Sequence, residues 1–120
     1  MKAGADSSGA AAESLAADYL RAQGLSIVAR NVRNRFGEID LIARDGETLV
    51  FVEVRLRRSA AFGGAAMSIT PAKQAKLVAA ARIYLSNLRR EPACRFDAVL
   101  FDRLDAAHAI WQRDIIDASD

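Results

Sequence analysis

The chain holds one cysteine and one histidine among 120 residues, and each scarcity removes a class of function. A single thiol, Cys94, forms no internal disulfide framework and no cysteine-rich zinc site. With His108 as the one imidazole, no two-histidine metal motif can be written. No apolar run approaches the roughly 20 residues that a membrane span needs, so no membrane partner is expected. Residues Met1 to Asp6 lack the apolar stretch of a secretory signal, which makes the cytoplasm the expected compartment. Repeats are absent. Residues 1–7 read as a flexible tail of small residues, followed by one domain over 8–120.

Charge is nearly balanced, at 17 basic against 15 acidic side chains, so total charge alone does not mark a nucleic-acid binder. The distribution says more. Arg30, Arg33 and Arg35 precede a short acidic stretch, and Arg55, Arg57 and Arg58 follow Glu53. Such arginines can grip phosphates on either side of a pair of carboxylates. The plainer account is that they are solvated strand ends.

Apolar positions three and four apart, from Ala12 through Leu15, Ala16, Tyr19 and Leu20, predict a helix over about 8–23, with Gly24 as its stop. A strand is expected over Leu25 to Arg30, with 31–36 as a loop or a frayed continuation. Two alternating runs, Glu38 to Ala43 and Thr48 to Arg57, flank Arg44-Asp45-Gly46-Glu47, and an Asp-Gly step between such runs signals a hairpin. After a glycine-containing loop at 59–64, Thr70 as N-cap and Pro71 at the first helical position open a second helix running to about Leu88. Cys94 to Asp102 is the next strand, and 108–116 a last, short edge strand. The order is helix, three strands, helix, strand: an α/β fold with helices packed on a mixed sheet, and a crossover expected to be right-handed.

The hairpin carries the chemistry. Side chains alternate along a strand, so Val50, Val52, Val54 and Leu56 take one face and Glu53 and Arg55 the other. A two-residue turn at Asp45-Gly46 sets Asp40 opposite Phe51 and diagonal to Glu53; a longer loop sets it opposite Glu53. Both registers leave Asp40, Glu53 and Arg55 on one face, and only an odd slip or a bulge would separate them. Two close carboxylates repel, and a divalent cation relieves the repulsion. Hard oxygen donors without a nearby imidazole or thiolate suit Mg²⁺ or Mn²⁺. The alternative is a solvated acidic face with Arg55 as an ion-pair partner.

These residues resemble a known pattern. Gly37-Glu38-Ile39-Asp40-Leu41-Ile42, then Phe51-Val52-Glu53-Val54-Arg55-x-Arg57, then Lys73-Gln74 and Arg95-Phe96-Asp97 look like the bacterial YraN family, from Glu13 to about Phe101. That family is similar to the Holliday-junction resolvases of archaea and to the restriction-endonuclease-like PD-(D/E)xK superfamily. The resemblance implies a restriction-endonuclease-like core and metal-dependent phosphodiester hydrolysis on DNA, branched or structured DNA included. It implies Asp40, Glu53 and Arg55 as catalytic residues and Asp40, Glu53 and Glu13 as metal ligands, while the placement of Arg30, Arg33, Arg35, Arg57 and Arg58 around them makes those arginines the expected nucleic-acid contacts. Arg55 stands where the superfamily has lysine. Arginine stays charged at any relevant pH, so it holds water or phosphate but is no ready general base. A nucleic-acid-binding module with a degenerate site is therefore the competing reading, and a partner-binding scaffold a third.

Supporting positions have plainer alternatives. Glu38 lies beside Asp40 and can tune it. Gln74 can orient water or phosphate, or bond to nearby backbone. Lys73 can supply a displaced amine, or be a solvated helix lysine. Phe36 and Phe62, beside the basic stretches, can stack on an unpaired base or lid the core. Trp111 with Ile110 offers an apolar spot for a homodimer contact, unless the tryptophan packs on its own domain.

Overall fold

The computed structural model describes residues 7–56 and 70–116. The expectations placed on the first six residues, on Arg57 and Arg58, and on the 59–64 loop with Phe62 lie outside the described residues.

Helix α1 (Ser7–Ala22) leads into strands β1 (Ser26–Asn34), β2 (Gly37–Asp45) and β3 (Thr48–Leu56). Helix α2 (Pro71–Ser86), β4 (Cys94–Phe101) and β5 (Ala109–Gln112) complete the order. The five strands form one sheet in sequence order, antiparallel except where β3 runs parallel to β4. This is the expected α/β architecture, a mixed sheet with two helices, consistent with a restriction-endonuclease-like core.

Local chemistry sets the boundaries. α1 ends in a Schellman turn: Leu25 N–H donates to Leu20 O at 3.0 Å and Gly24 N–H to Arg21 O at 3.0 Å. Gly24 sits at φ +99°, a value that glycine adopts without steric cost. Thr70 caps α2, its hydroxyl accepting from Lys73 N–H, ahead of Pro71.

The sheet is covered on both sides. Ala12, Ala16, Ala17 and Leu20 of α1 pack on Leu41, Ala43, Val50, Val52 and Val54, with Val99 and Phe101 of β4. On the other side Leu77, Ala80, Ala81 and Leu85 of α2 pack on Ile39, Ile42, Leu49, Phe51 and Phe96. Small residues on α1 let the helix lie close to the sheet. Both faces of β3 are thus core from Leu49 through Val52, and charged residues enter only at its end.

Three boundaries differ from expectation. β1 continues through Asn34, absorbing its irregularity in a register shift between Ile27 and Ala29 and a left-handed Asn31 at φ 53°. The hairpin turn is Gly46-Glu47, with Asp45 still paired to Thr48. Gly46 at φ +63°, followed by an ordinary φ at Glu47, fits a type II′ turn, which wants glycine first. β5 ends at Gln112, so Ile115 lies beyond it, joined to the sheet by its N–H donating to Phe96 O at 2.7 Å. No helix among the described residues is long and apolar enough to cross a membrane.

Candidate metal centre

β3 is paired on both sides, but over unequal lengths. Its pairing with β4 runs through Leu56 and Phe101, whereas its register with β2 ends at Leu41 and Val52. The next pair in that register would be Asp40 and Glu53. There the Val54 N–H donates to Asp40 Oδ2 at 2.9 Å, so a carboxylate takes over where strand carbonyls leave off. Alternation within β2 also breaks at this point. Ile42 packs toward α2 and Leu41 toward α1, yet Ile39 again packs toward α2. Asp40 sits at the irregular step, beside Glu13 of α1.

A cleft of about 430 Å³ opens here, lined by Gly9, Ala12, Glu13, Glu38, Asp40, Glu53, Val54, Arg55 and Leu56. Asp40, Glu53 and Arg55 share it. The reason is not the simple common face expected, since four consecutive residues of β3 line the cleft. It wraps the end of the strand.

Carboxylate oxygens of Glu13, Glu38 and Asp40 lie within 4.8 Å of one another. This tight group contains Glu38, expected as support, and does not contain Glu53. Two full charges at that separation repel by about 3 kcal/mol at an effective dielectric near 20. Asp40 feels it: burial first, then Glu53, with smaller pushes from Glu13 and Glu38, raise its pKa from 3.8 to about 7 against the stabilising Val54 N–H. Burial also raises the Glu53 carboxyl, with Glu38 adding to it, while Arg55 and Lys73 pull it back. Arg55 Nε lies 3.4 Å from Glu53 Oε2, both side chains mostly buried.

The other expected residues spread further. Lys73, on the first turn of α2, is exposed and reaches Glu53 through its charge. Gln74 follows it, half-buried. The arginines of the first basic stretch flank the cleft without lining it. Arg30 donates to Ser14 Oγ at 3.1 Å, Arg33 pairs with Glu38 at 3.6 Å, and the Arg35 guanidinium lies 4.9 Å from the Phe36 ring centre.

Trp111 is no free apolar spot. It meets Tyr19 edge-on at 6.3 Å, lies under Arg113 at 4.1 Å, and donates Nε1–H to Asp97 Oδ2 at 3.0 Å. Its neighbour Ile110 stays 48% exposed. Asp97, the last residue of the Arg95-Phe96-Asp97 motif, is the residue to which the sequence pattern assigned no role. It is fully buried and accepts from Arg95 Nε and Nη2, Trp111 Nε1 and Asp114 N–H. A carboxylate in an otherwise apolar strand, two residues after an arginine, was the available signal.

A cation fits the chemistry of the donor set. Glu13, Glu38 and Asp40 offer hard oxygens only, and burial with the neighbouring carboxylates keeps the Asp40 pKa raised. Comparisons with known proteins agree on the family. The model of "Uncharacterised protein family UPF0102" matches residues 12–101. A UPF0102 protein of Nitrosospira multiformis is 55% identical over 108 residues, covering 90% of this chain and 91% of that one. A relative from Dichelobacter nodosus is 55% identical over 106 residues, 87% of this chain and 84% of its own. One from Nitrosomonas europaea is 49% identical over 115 residues, 96% and 98% of the two chains. The matched span takes in the whole cleft from Ala12 onward and the Asp97 network up to Asp97 itself, and on it the chain belongs to the UPF0102 (YraN-type) family.

Proposed function

We propose that this chain is a Mg²⁺- or Mn²⁺-dependent endonuclease acting on DNA, branched or structured DNA included, with a site of the PD-(D/E)xK kind. One observation carries the reading. Asp40 is held in a cleft against Glu13, Glu38 and Glu53, at a pKa near 7, where a free carboxylate would be far lower. Proteins tolerate such crowding where the site has work to do.

Glu13, Glu38 and Asp40 would hold the ion, with Glu53 across the cleft. A bound divalent cation there supplies a Lewis acid for a phosphoryl oxygen and lowers the pKa of water. The chain does the rest. Asp40 keeps one oxygen on the Val54 N–H, which fixes its rotation at the strand opening. Arg55, permanently charged and set against Glu53, holds phosphate charge and does not take up a proton. Lys73 adds a second cation near Glu53 from the α2 side.

The presence of Arg55 where the superfamily has lysine favours a second reading, a nucleic-acid-binding module with a degenerate site. Cleavage of labelled duplex, branched and single-stranded DNA in Mg²⁺ or Mn²⁺ separates the two. Asp40→Ala and Glu53→Ala are each expected to cut at least about a hundredfold more slowly. Cutting that persists in both variants overturns the nuclease. Salt-sensitive binding without cutting selects the module, and no salt-sensitive binding selects a partner-binding scaffold.

A further inference from the structure

The turn between β1 and β2 lies just before Glu38, and the chemistry above makes no use of it. Phe36 at its tip is 42% exposed. The turn is nevertheless braced. Asn34 donates Nδ2–H to Ala80 O of α2 at 3.1 Å and accepts the Phe36 N–H on Oδ1 at 3.0 Å. Gly37, at φ +152°, lies against the same helix, where a Cβ would stand 3.8 Å from Lys76 Cβ. An exposed phenylalanine by itself is ordinary. Here its surroundings are cationic. The Arg35 guanidinium stands 4.9 Å from the ring centre, Arg33 is largely exposed beside Glu38, and Lys76 abuts Gly37. A ring held on a braced turn among cations is the composition of a single-strand site, where the ring takes a base and the cations take the backbone.

We infer that Phe36, with Arg35 against its ring, is a stacking platform for an unpaired DNA base adjoining the phosphate in the carboxylate cleft. The placement next to a phosphate in that cleft rests on the nuclease reading; the platform itself does not. Glu38 follows Phe36 by two positions, with Gly37 between them, which is roughly 7 Å of extended chain, or about two stacked nucleotides at roughly 3.4 Å each. Substrates with a single-stranded segment at the cut, such as flaps and branch points, are therefore preferred over continuous duplex.

The test uses the full chain in EDTA, so that binding is read without cutting. The probe is a single-stranded oligonucleotide carrying 2-aminopurine, whose fluorescence is quenched by stacking. Phe36→Ala is expected to weaken binding about tenfold and abolish the protein-induced quenching, with the melting temperature unchanged. Phe36→Trp keeps both binding and quenching, and Phe36→Leu behaves like the alanine variant. Wild-type binding by Phe36→Ala, or full quenching by Phe36→Leu, overturns the inference. Cleavage in Mg²⁺ is scored separately on Asp40→Ala. Asp40-dependent cutting with no dependence on the ring removes the platform alone, and ring-dependent binding without cutting removes the nuclease alone.

Discussion

Asp97 and Asp40 both lie within the sheet and have opposite surroundings. Asp97 is fully buried and accepts from Arg95 at 3.0 and 3.1 Å, from Trp111 Nε1 at 3.0 Å and from the Asp114 N–H at 2.9 Å. Asp40 is half-buried, accepts from the Val54 N–H at 2.9 Å, and faces Glu13, Glu38 and Glu53. A charge with its hydrogen bonds filled holds structure together; one crowded by like charges waits for a cation. The two carboxylates should therefore part company under the same mutation. Asp97→Ala leaves Trp111 Nε1 and Asp114 N–H without an acceptor and halves the partners of Arg95, which keeps Asp45 at 3.1 Å. The expected loss is about 3–5 kcal/mol in urea unfolding. Asp40→Asn keeps an acceptor for Val54 and removes a repelled charge, so at pH 8 without divalent ions it is expected to gain roughly 1–2 kcal/mol. Equal losses in both variants would erase the distinction.

Titration sharpens the same contrast. With its pKa near 7 in the folded chain and 3.8 ordinarily, Asp40 binds its proton more tightly folded than unfolded. The contribution of Asp40 to stability is then fullest below about pH 4, falls as pH rises toward 7, and levels off above that, with the raised Glu53 acting in the same direction. The drop should be roughly 2 kcal/mol once partial solvent screening is allowed for. Saturating Mn²⁺ should remove most of it at pH 8 and change little at pH 5, where protons compete for the ligands. Unfolding curves at the two pH values, with and without Mn²⁺, read this directly. If the stability difference between Asp40→Asn and the wild type does not grow from pH 4 to 7 in metal-free protein, Asp40 is not crowded as described.

Much of this was legible in the residues, and the failures have physical causes. The element order followed from periodicity, and the caps from Thr70-Pro71 and Gly24. The hairpin was readable from Asp45-Gly46, but its turn lay one residue along, because Gly46 takes the first turn position and leaves Asp45 to pair with Thr48. That shift makes Asp40 and Glu53 the pair that would follow Leu41 and Val52, although the ladder between β2 and β3 ends just before it. Alternation failed within β2 between Ile39 and Leu41, because the packing of Ile39 toward α2 and the place of Asp40, with its carboxylate on the Val54 N–H and beside Glu13, are set by three-dimensional contacts that no local pattern shows. Asp97 stood in the Arg95-Phe96-Asp97 motif without a role, because beyond its local partner Arg95 its donors come from β5 and the segment after it, which no local pattern connects to β4. Trp111, read as a dimer contact or a packed side chain, proved to be the second, for the same reason.

Trp111 also offers the finest cut through the comparison. Its indole donates one hydrogen bond to Asp97 Oδ2 and packs against Tyr19 and beneath Arg113. Trp111→Phe keeps an aromatic ring for those contacts and removes the donor alone. Asp97 then retains Arg95 and the Asp114 N–H, so its charge stays buried and mostly paired. One hydrogen bond to a charged acceptor is worth about 1.5–3 kcal/mol, and some of that is recovered by the remaining donors. A loss of about 1.5 kcal/mol in urea unfolding is expected, with Mn²⁺-dependent stabilisation at pH 8 unchanged because Asp40 lies outside this network. A loss as large as that of Asp97→Ala would mean that the indole N–H, rather than Arg95, is the bond that keeps the carboxylate buried. A change in the Mn²⁺ response would mean that the two carboxylates are coupled through the sheet and cannot be treated as separate sites.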